Sequence, residues 1–259
     1  MGGFFVCPLI AVGIAVIIVI VIAAQKAAKR RQEELLALAR DLGLEFSPET
    51  VRGWDKRWPQ FECFARGHSR RAFNLCSGPM RDDPNATQCT LGDYEFKETH
   101  SSGKSTQTVT YRFGFLIVET RWRGIPDVLV RRETMLDKFA GVLGFDDIDF
   151  ESAEFSRKFM VKSRDKRFAY DLIDAQMMEF LLADGTDFGS TPCIDIGDSA
   201  VCLWFSQTKK LEPAQFRSLF GWAHEFLRRW PRVVTARLDD TEKQRVVDKQ
   251  GDKQGDMNT

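Results

Sequence analysis

The sequence has few of the residues that usually mark a reactive site. It contains only three histidines, and none has a second ligand at zinc-binding spacing: His68, His100 and His224. Its six cysteines form no C-x-x-C pair, and no Gly-x-Ser-x-Gly nucleophile elbow occurs. We therefore expect neither a metal nor a cofactor, and the catalytic residues, if there are any, are unknown at this stage.

Net charge is also missing. The 37 basic residues match the 37 acidic ones, so the formal net charge is zero. This balance argues against binding nucleic acid through bulk positive charge, and we expect no nucleic-acid partner. With 43% hydrophobic and 29% charged residues, the chain has the composition of a folded protein.

Charge is wholly absent from residues 4–24, which are mostly apolar. As a helix this run would be about 31 Å long, which matches the hydrocarbon core of a bilayer. A cleaved signal peptide would carry basic residues before its apolar stretch, whereas here they follow it. Residues 1–25 are therefore predicted to form a transmembrane helix.

The basic residues after this run predict how the chain crosses the membrane. They are Lys26, Lys29, Arg30 and Arg31. Because flanking cations stay in the cytosol, we expect a single-pass protein of the cell membrane with its N-terminus outside and its C-terminal domain in the cytosol. The same cations are attracted to anionic headgroups, so the lipid bilayer is an expected partner.

Beyond the span, the pattern predicts a membrane-proximal helix over 26–46 and a cytosolic domain over 47–236. Alternating residues in 108–120 give the strongest strand signal, and an apolar stripe after Pro213 predicts a closing helix. The fold class is α+β, with about seven mostly antiparallel strands; a pleckstrin-homology-like roll is an alternative. Further elements are predicted as strands at 71–77, 89–97, 127–132 and 157–163 and as helices at 133–143 and 166–184. The polar tail 237–259 is predicted to be disordered.

The segment 192–206 is predicted to form a hairpin with a defined register. Gly197-Asp198 suits a two-residue type II′ turn, which would place Cys193 opposite Cys202. The two cysteines are expected to be reduced, although an oxidant could join them. Five apolar residues then share one face: Ile194, Ile196, Val201, Leu203 and Phe205.

Two local motifs have competing interpretations. Residues 103–106 resemble the end of a phosphate-binding loop, but the glycine required earlier is replaced by Glu98, so a hairpin loop is expected. The acidic turn 146–154 either starts a helix or binds a cation or cationic partner. Its candidate binding residues are Asp147, Asp149 and Glu151.

Basic residues close to aromatics form a second candidate site. Arg66, Arg70 and Arg71 could press against anionic lipid, or they could be an ordinary solvated face. We expect these residues to be the basic part of any binding surface.

Several segments resemble a family of uncharacterised bacterial single-pass membrane proteins of unknown function. The similarity is strongest in DIDFESAEFSRKFMV (147–161), RFAY (167–170) and MMEFLL (177–182), and it extends to LALARDLGLEF and FARGHSRRAFNLCSG near the start of the domain. The resemblance implies a bacterial source and one membrane helix ahead of a cytosolic domain. It implies no activity, ligand or catalytic residue.

Two functions from different classes fit these observations. The first is a membrane-anchored cytosolic interaction module, not an enzyme, whose partner is another membrane or cytosolic protein. The second is a membrane-tethered enzyme whose active site is assembled from distant residues near the turn 146–154, with His68 or His224. A cleft that brings these groups together would favour the enzyme.

Overall fold

The structure is a computed structural model that describes residues 6–103, 105–132, 146–183, 191–205 and 210–256. Its helices are α1 (Val6–Leu42), α2 (Trp54–Arg57), α3 (Ala153–Lys158), α4 (Lys166–Leu172), α5 (Ala175–Leu182), α6 (Pro213–Arg228) and α7 (Arg232–Asp256), with a 3-10 turn at Glu62–Phe64. Its strands are β1 (Glu45–Ser47), β2 (His68–Pro79), β3 (Ala86–Ser102), β4 (Ser105–Thr120), β5 (Ile125–Arg132), β6 (Asp146–Asp147), β7 (Phe159–Ser163), β8 (Cys193–Asp198) and β9 (Ala200–Trp204). The helix predicted at 133–143 lies outside the described residues.

These strands form one antiparallel sheet in the order β1-β2-β3-β4-β9-β8-β5-β7-β6. The α+β class is confirmed. Because β1 and β6 each have one neighbour among the described strands, the sheet is open at both ends. It therefore differs from the closed roll considered as an alternative.

Helix α1 runs without a break from the apolar segment into the domain. Its apolar part is exposed, and it is the candidate membrane span among the described residues. Its last turns are buried against the sheet at Leu35, Leu38 and Ala39. The helix ends at Leu42, and the next residue, Gly43, has a φ of +69°, which favours glycine. Strand β1 then begins at Glu45, so the boundary predicted after residue 46 falls inside the sheet.

Each face of the sheet carries its own apolar core. One core packs beneath α1, α6 and α7. The other lies under the segment from Trp54 to Phe64, whose aromatic side chains cover the opposite face. The alternation predicted along β4 is confirmed, because Phe113, Phe115 and Ile117 all face this second core.

The hairpin β8–β9 has the predicted faces but not the predicted register. Cys193 pairs with Trp204, and Cys202 pairs with Asp195, so the pairing is offset by two residues. The reason is that Asp198 itself adopts a positive φ of 53°, which moves the turn one residue along. The five apolar residues still share the first core, since a shift of two preserves every face.

Two helical predictions need correction. The predicted helix at 166–184 is two helices, because Asp174 breaks the run and caps α5 through the Met177 amide at 2.8 Å. The prediction that the tail is disordered from residue 237 is wrong for the described residues 237–256, which continue α7. Leu238 is 3% exposed there, and Asp239 accepts a hydrogen bond of 2.6 Å from the Trp122 indole.

Candidate functional site at the span-facing end of the sheet

The contacts of α1 show which end of the sheet lies toward the apolar span. Arg31 meets Asp93, the Leu35 carbonyl accepts from the Cys76 thiol, and Leu44 packs on Gly78. Asp93 pairs with Phe73 of β2, so Arg31, Leu35 and Leu44 approach β2 near residues 73, 76 and 78, in that order. Helix α1 and strand β2 therefore run in the same direction. The end nearest the span therefore holds the start of β2, the end of β3 and the β3–β4 hairpin; we call it the span-facing end.

Arg31 joins α1 to the sheet at this end. Its Nη2 and Nε donate to the two carboxylate oxygens of Asp93 at 2.7 and 3.1 Å, and Nη2 also donates to the Leu211 carbonyl at 2.8 Å. Asp93 is fully buried and accepts a further bond from Asn74. A buried, two-pronged arginine–carboxylate pair fixes both partners. Arg31, which was predicted only as a topology signal, is thus a structural joint.

A second carboxylate, Glu95, lies two residues further along β3 and is 3% exposed. Arg71 and Arg112 approach it at 2.8 and 2.5 Å. Burial works to raise the pKa of Glu95, but the hydrogen bonds and charges of Arg112 and Arg71 lower it overall. This carboxylate stays ionised and holds two arginines at the span-facing end.

The predicted basic residues all lie at this end, but each has an acidic partner. Arg66 pairs with Glu98 at 2.9 Å, and Arg70 pairs with Asp55 at 2.7 Å. Together with Arg71 on Glu95, these pairs neutralise the patch. The partners come from segments 15 to 32 residues away in sequence, which is why the sequence showed only the cations.

The predicted acidic residues lie elsewhere. Asp147 is in edge strand β6, and six strands separate it from β2 in the sheet order. The Asp149 carbonyl accepts a hydrogen bond from the Tyr170 hydroxyl at 2.9 Å, and Glu151 is exposed. Ser152 caps α3 by accepting from the Phe155 amide, as a helix start requires. The structure thus does not bring the acidic and basic candidates together.

The histidines proposed for an enzyme also lie apart. His68 bonds to Ser69 and Thr99, and His224 lies 3.3 Å from Asp83. Neither contact involves the turn 146–154. Among the residues that the structure describes, no group of three or more His, Cys, Asp or Glu could hold a metal ion.

A buried ion pair, Arg131 with Asp195, escaped the sequence analysis. The Arg131 guanidinium donates to Asp195 and lies 5.0 Å from the centre of the Trp204 ring, while the Trp204 indole donates to Asp195 at 3.2 Å. Burial raises the pKa of the neighbouring Cys193 thiol to about 12, which keeps it protonated and poorly nucleophilic. The only sign of this ion pair in the sequence was a charged residue within an otherwise apolar strand.

A groove of about 690 Å³ opens between α1 and the span-facing end of β4. One wall consists of Ala24, Ala27 and Ala28, and the other includes Arg112 and Lys210. We call it the juxtamembrane groove. Its remaining lining residues are Arg30, Arg31, Glu34 and Glu212.

Comparison with known proteins shows similarity to a solved structure. No family profile and no curated protein matches the chain. Among solved structures, the crystal structure of the mycobacterial trehalose monomycolate transport factor A, TtfA, is similar, with a TM-score of 0.50 and 13% sequence identity. The match covers 79% of this chain and 96% of the TtfA chain. At this identity the likeness shows a shared fold and transfers no residue role.

Proposed function

We propose that the chain is a single-pass membrane protein whose cytosolic domain is a non-enzymatic interaction module for a second membrane or cytosolic protein. The observation that carries this proposal is the joint between α1 and the sheet. A flexible tether would suffice for an enzyme acting on a soluble substrate. Here the exposed apolar segment and the buried Leu35, Leu38 and Arg31–Asp93 contacts belong to one unbroken helix, which fixes the domain relative to the span.

The structural neighbour adds support. TtfA is described as a transport factor, and this chain shares its fold over most of its length. We propose by analogy that this chain is an accessory factor in a membrane process, without specifying the cargo. The resemblance to bacterial single-pass proteins and the cations after the span support a bacterial cell membrane and a cytosolic domain.

The alternative, a tethered enzyme, has less support. Its acidic turn and its histidines lie on separate elements, and the carboxylates of Asp93 and Glu95 are neutralised by arginines. A general acid or base would need to reach a substrate, whereas these groups bind each other.

Site-specific crosslinking in native membranes tests the proposal. A photoreactive residue would replace exposed Thr108 in β4 in the full chain, and the adducts would be compared with those of a variant carrying a flexible Gly-Ser insert between Ala24 and Gln25. We expect one discrete protein adduct whose yield falls when the insert uncouples the span from the domain. Positions on α3 and α7 would be tested in parallel. Absence of adducts at every position, or turnover of a small molecule by the purified chain, would contradict an interaction module.

A further inference from the structure

The juxtamembrane groove lies at the depth of lipid headgroups. Ala24 ends the apolar run, and Ala28 follows about 6 Å further along the helix axis. The headgroup layer is itself about 5–7 Å thick on each side of the hydrocarbon core. The groove wall formed by Ala24, Ala27 and Ala28 therefore spans this layer when the apolar segment is in a membrane.

The opposite wall offers two cations with unused hydrogen-bonding capacity. Arg112 is exposed and uses its Nε on Glu95, so that its two terminal nitrogens have no partner among the described residues. Lys210 is half-buried, and no described carboxylate lies within salt-bridge distance of its Nζ, which lies 5.8 Å from the Phe73 ring centre. Burial lowers the pKa of Lys210, so an anion beside it would be favourable.

The other charged residues of the groove have bonding partners within the protein. Arg30 pairs with Glu34 at 2.8 Å, and Arg31 pairs with buried Asp93. Glu212 forms the capping box of α6 with Gln215, whose side-chain oxygen accepts from the Glu212 amide at 2.9 Å. Arg112 and Lys210 are therefore the cations of the wall opposite the alanines that can bind a further anion. Arg30, which also bonds its carboxylate through Nε alone, lies on α1 with the alanines and is 80% exposed.

We propose that the juxtamembrane groove binds the phosphate of an anionic phospholipid from the surrounding leaflet. The terminal nitrogens of Arg112 form a fork suited to phosphate oxygens, and Lys210 adds a point charge. The alanine wall leaves room for the glycerol and the start of the acyl chains, which continue along the apolar face of α1. The lipid source is favoured over soluble phosphate because the groove is continuous with the span. The inference rests on the membrane anchoring in the proposed function.

Amine labelling of the full chain in nanodiscs tests this site. The rate of Lys210 modification would be measured by mass spectrometry in phosphatidylcholine alone and in an equimolar mixture with phosphatidylglycerol. We expect the anionic lipid to slow Lys210 labelling about fivefold, as one cation–headgroup interaction implies. Lys26 and Lys29, exposed on α1, report the diffuse attraction of the surface and should slow less, and Lys243 on α7 should not change.

A variant provides an independent readout. Phosphatidylglycerol should raise the Tm of the wild type and of Lys243→Gln, but not that of Lys210→Gln. Arg112→Lys, which keeps the charge but loses the fork, should retain only part of the increase.

Several outcomes would overturn the lipid site. Equal slowing of Lys26, Lys29 and Lys210 would mean diffuse attraction only. Equal protection by inorganic phosphate in phosphatidylcholine discs would mean a soluble anion, and unchanged Lys210 labelling would mean no site. Extraction of the protein from membranes by alkaline carbonate would instead contradict the membrane anchoring itself, so the two failures are distinguishable.

Discussion

At the scale of residues, neighbouring arginines on α1 have very different roles. Arg30 makes an exposed pair with Glu34 one turn away, whereas Arg31 holds buried Asp93 from another element. Arg31→Gln should therefore lower the free energy of unfolding by about 3–5 kcal/mol, because it leaves a buried carboxylate with only Asn74. Arg30→Gln should have almost no effect, because its pair with Glu34 is exposed to solvent. Denaturant unfolding of the full chain in detergent checks this, and equal effects of the two changes would refute the joint.

The Glu95 carboxylate predicts a dependence on pH. Its pKa is lowered in the folded state, so its contribution to stability is complete above the unfolded pKa of about 4.3 and is lost as the pH falls through the lower folded pKa. Glu95→Gln should thus destabilise the protein at neutral pH, and its difference from wild type should shrink below about pH 4.3. Unfolding curves across pH test this. Exposed Glu49→Gln is the control, and a difference that grows in acid would contradict the assignment.

At the scale of elements, the sequence predicts what depends on local periodicity. The faces of β4, β8 and β9 and the start of α6 at Pro213 were confirmed because alternation and helix-start chemistry are local. The β8–β9 register was wrong because Asp198, rather than glycine, takes the strained turn position. The cations of the candidate site were visible, but their acidic partners were not, since pairing across strands has no local signature.

Helix α6 provides a test of burial within one stripe. Phe226 is fully buried, whereas Phe220 is only partly buried and contacts His224 with its ring edge. Phe226→Ala should therefore cost about 3–5 kcal/mol of unfolding free energy. Phe220→Ala should cost clearly less, although the apolar stripe predicted from the sequence includes Phe220 and omits Phe226. Chemical denaturation of both variants measures the difference, and a larger loss for Phe220→Ala would mean that the stripe faces another direction.

Helix α7 escaped prediction because its contacts are sparse and largely polar. Leu238 is buried, and Asp239 satisfies the indole of Trp122, which stacks on Trp230. Ending the chain after Ala236 removes both contacts and should cost about 3 kcal/mol or more. Ending it after Asp248 should cost little. Thermal unfolding of the two truncations distinguishes them, and equal stability would restore the prediction of a dispensable tail.

At the scale of the whole molecule, the four cations after the span divide into two roles. Arg31 is held by the sheet. Of these four cations, Lys26, Lys29 and Arg30 can therefore be substituted to test the topology signal without damage to the fold.

This division sharpens the topology test. A C-terminal reporter on the wild type should read out in the cytosol. Changing Lys26, Lys29 and Arg30 to glutamine, and adding lysines before Phe4, should invert or mix the orientation while Arg31 keeps the domain folded. A matched variant that removes Lys243, Lys249 and Lys253 loses the same three positive charges far from the span and should leave the orientation intact, because flanking charges alone set it. An extracytoplasmic reporter in the wild type would contradict both the cytosolic domain and the choice of leaflet for the lipid site.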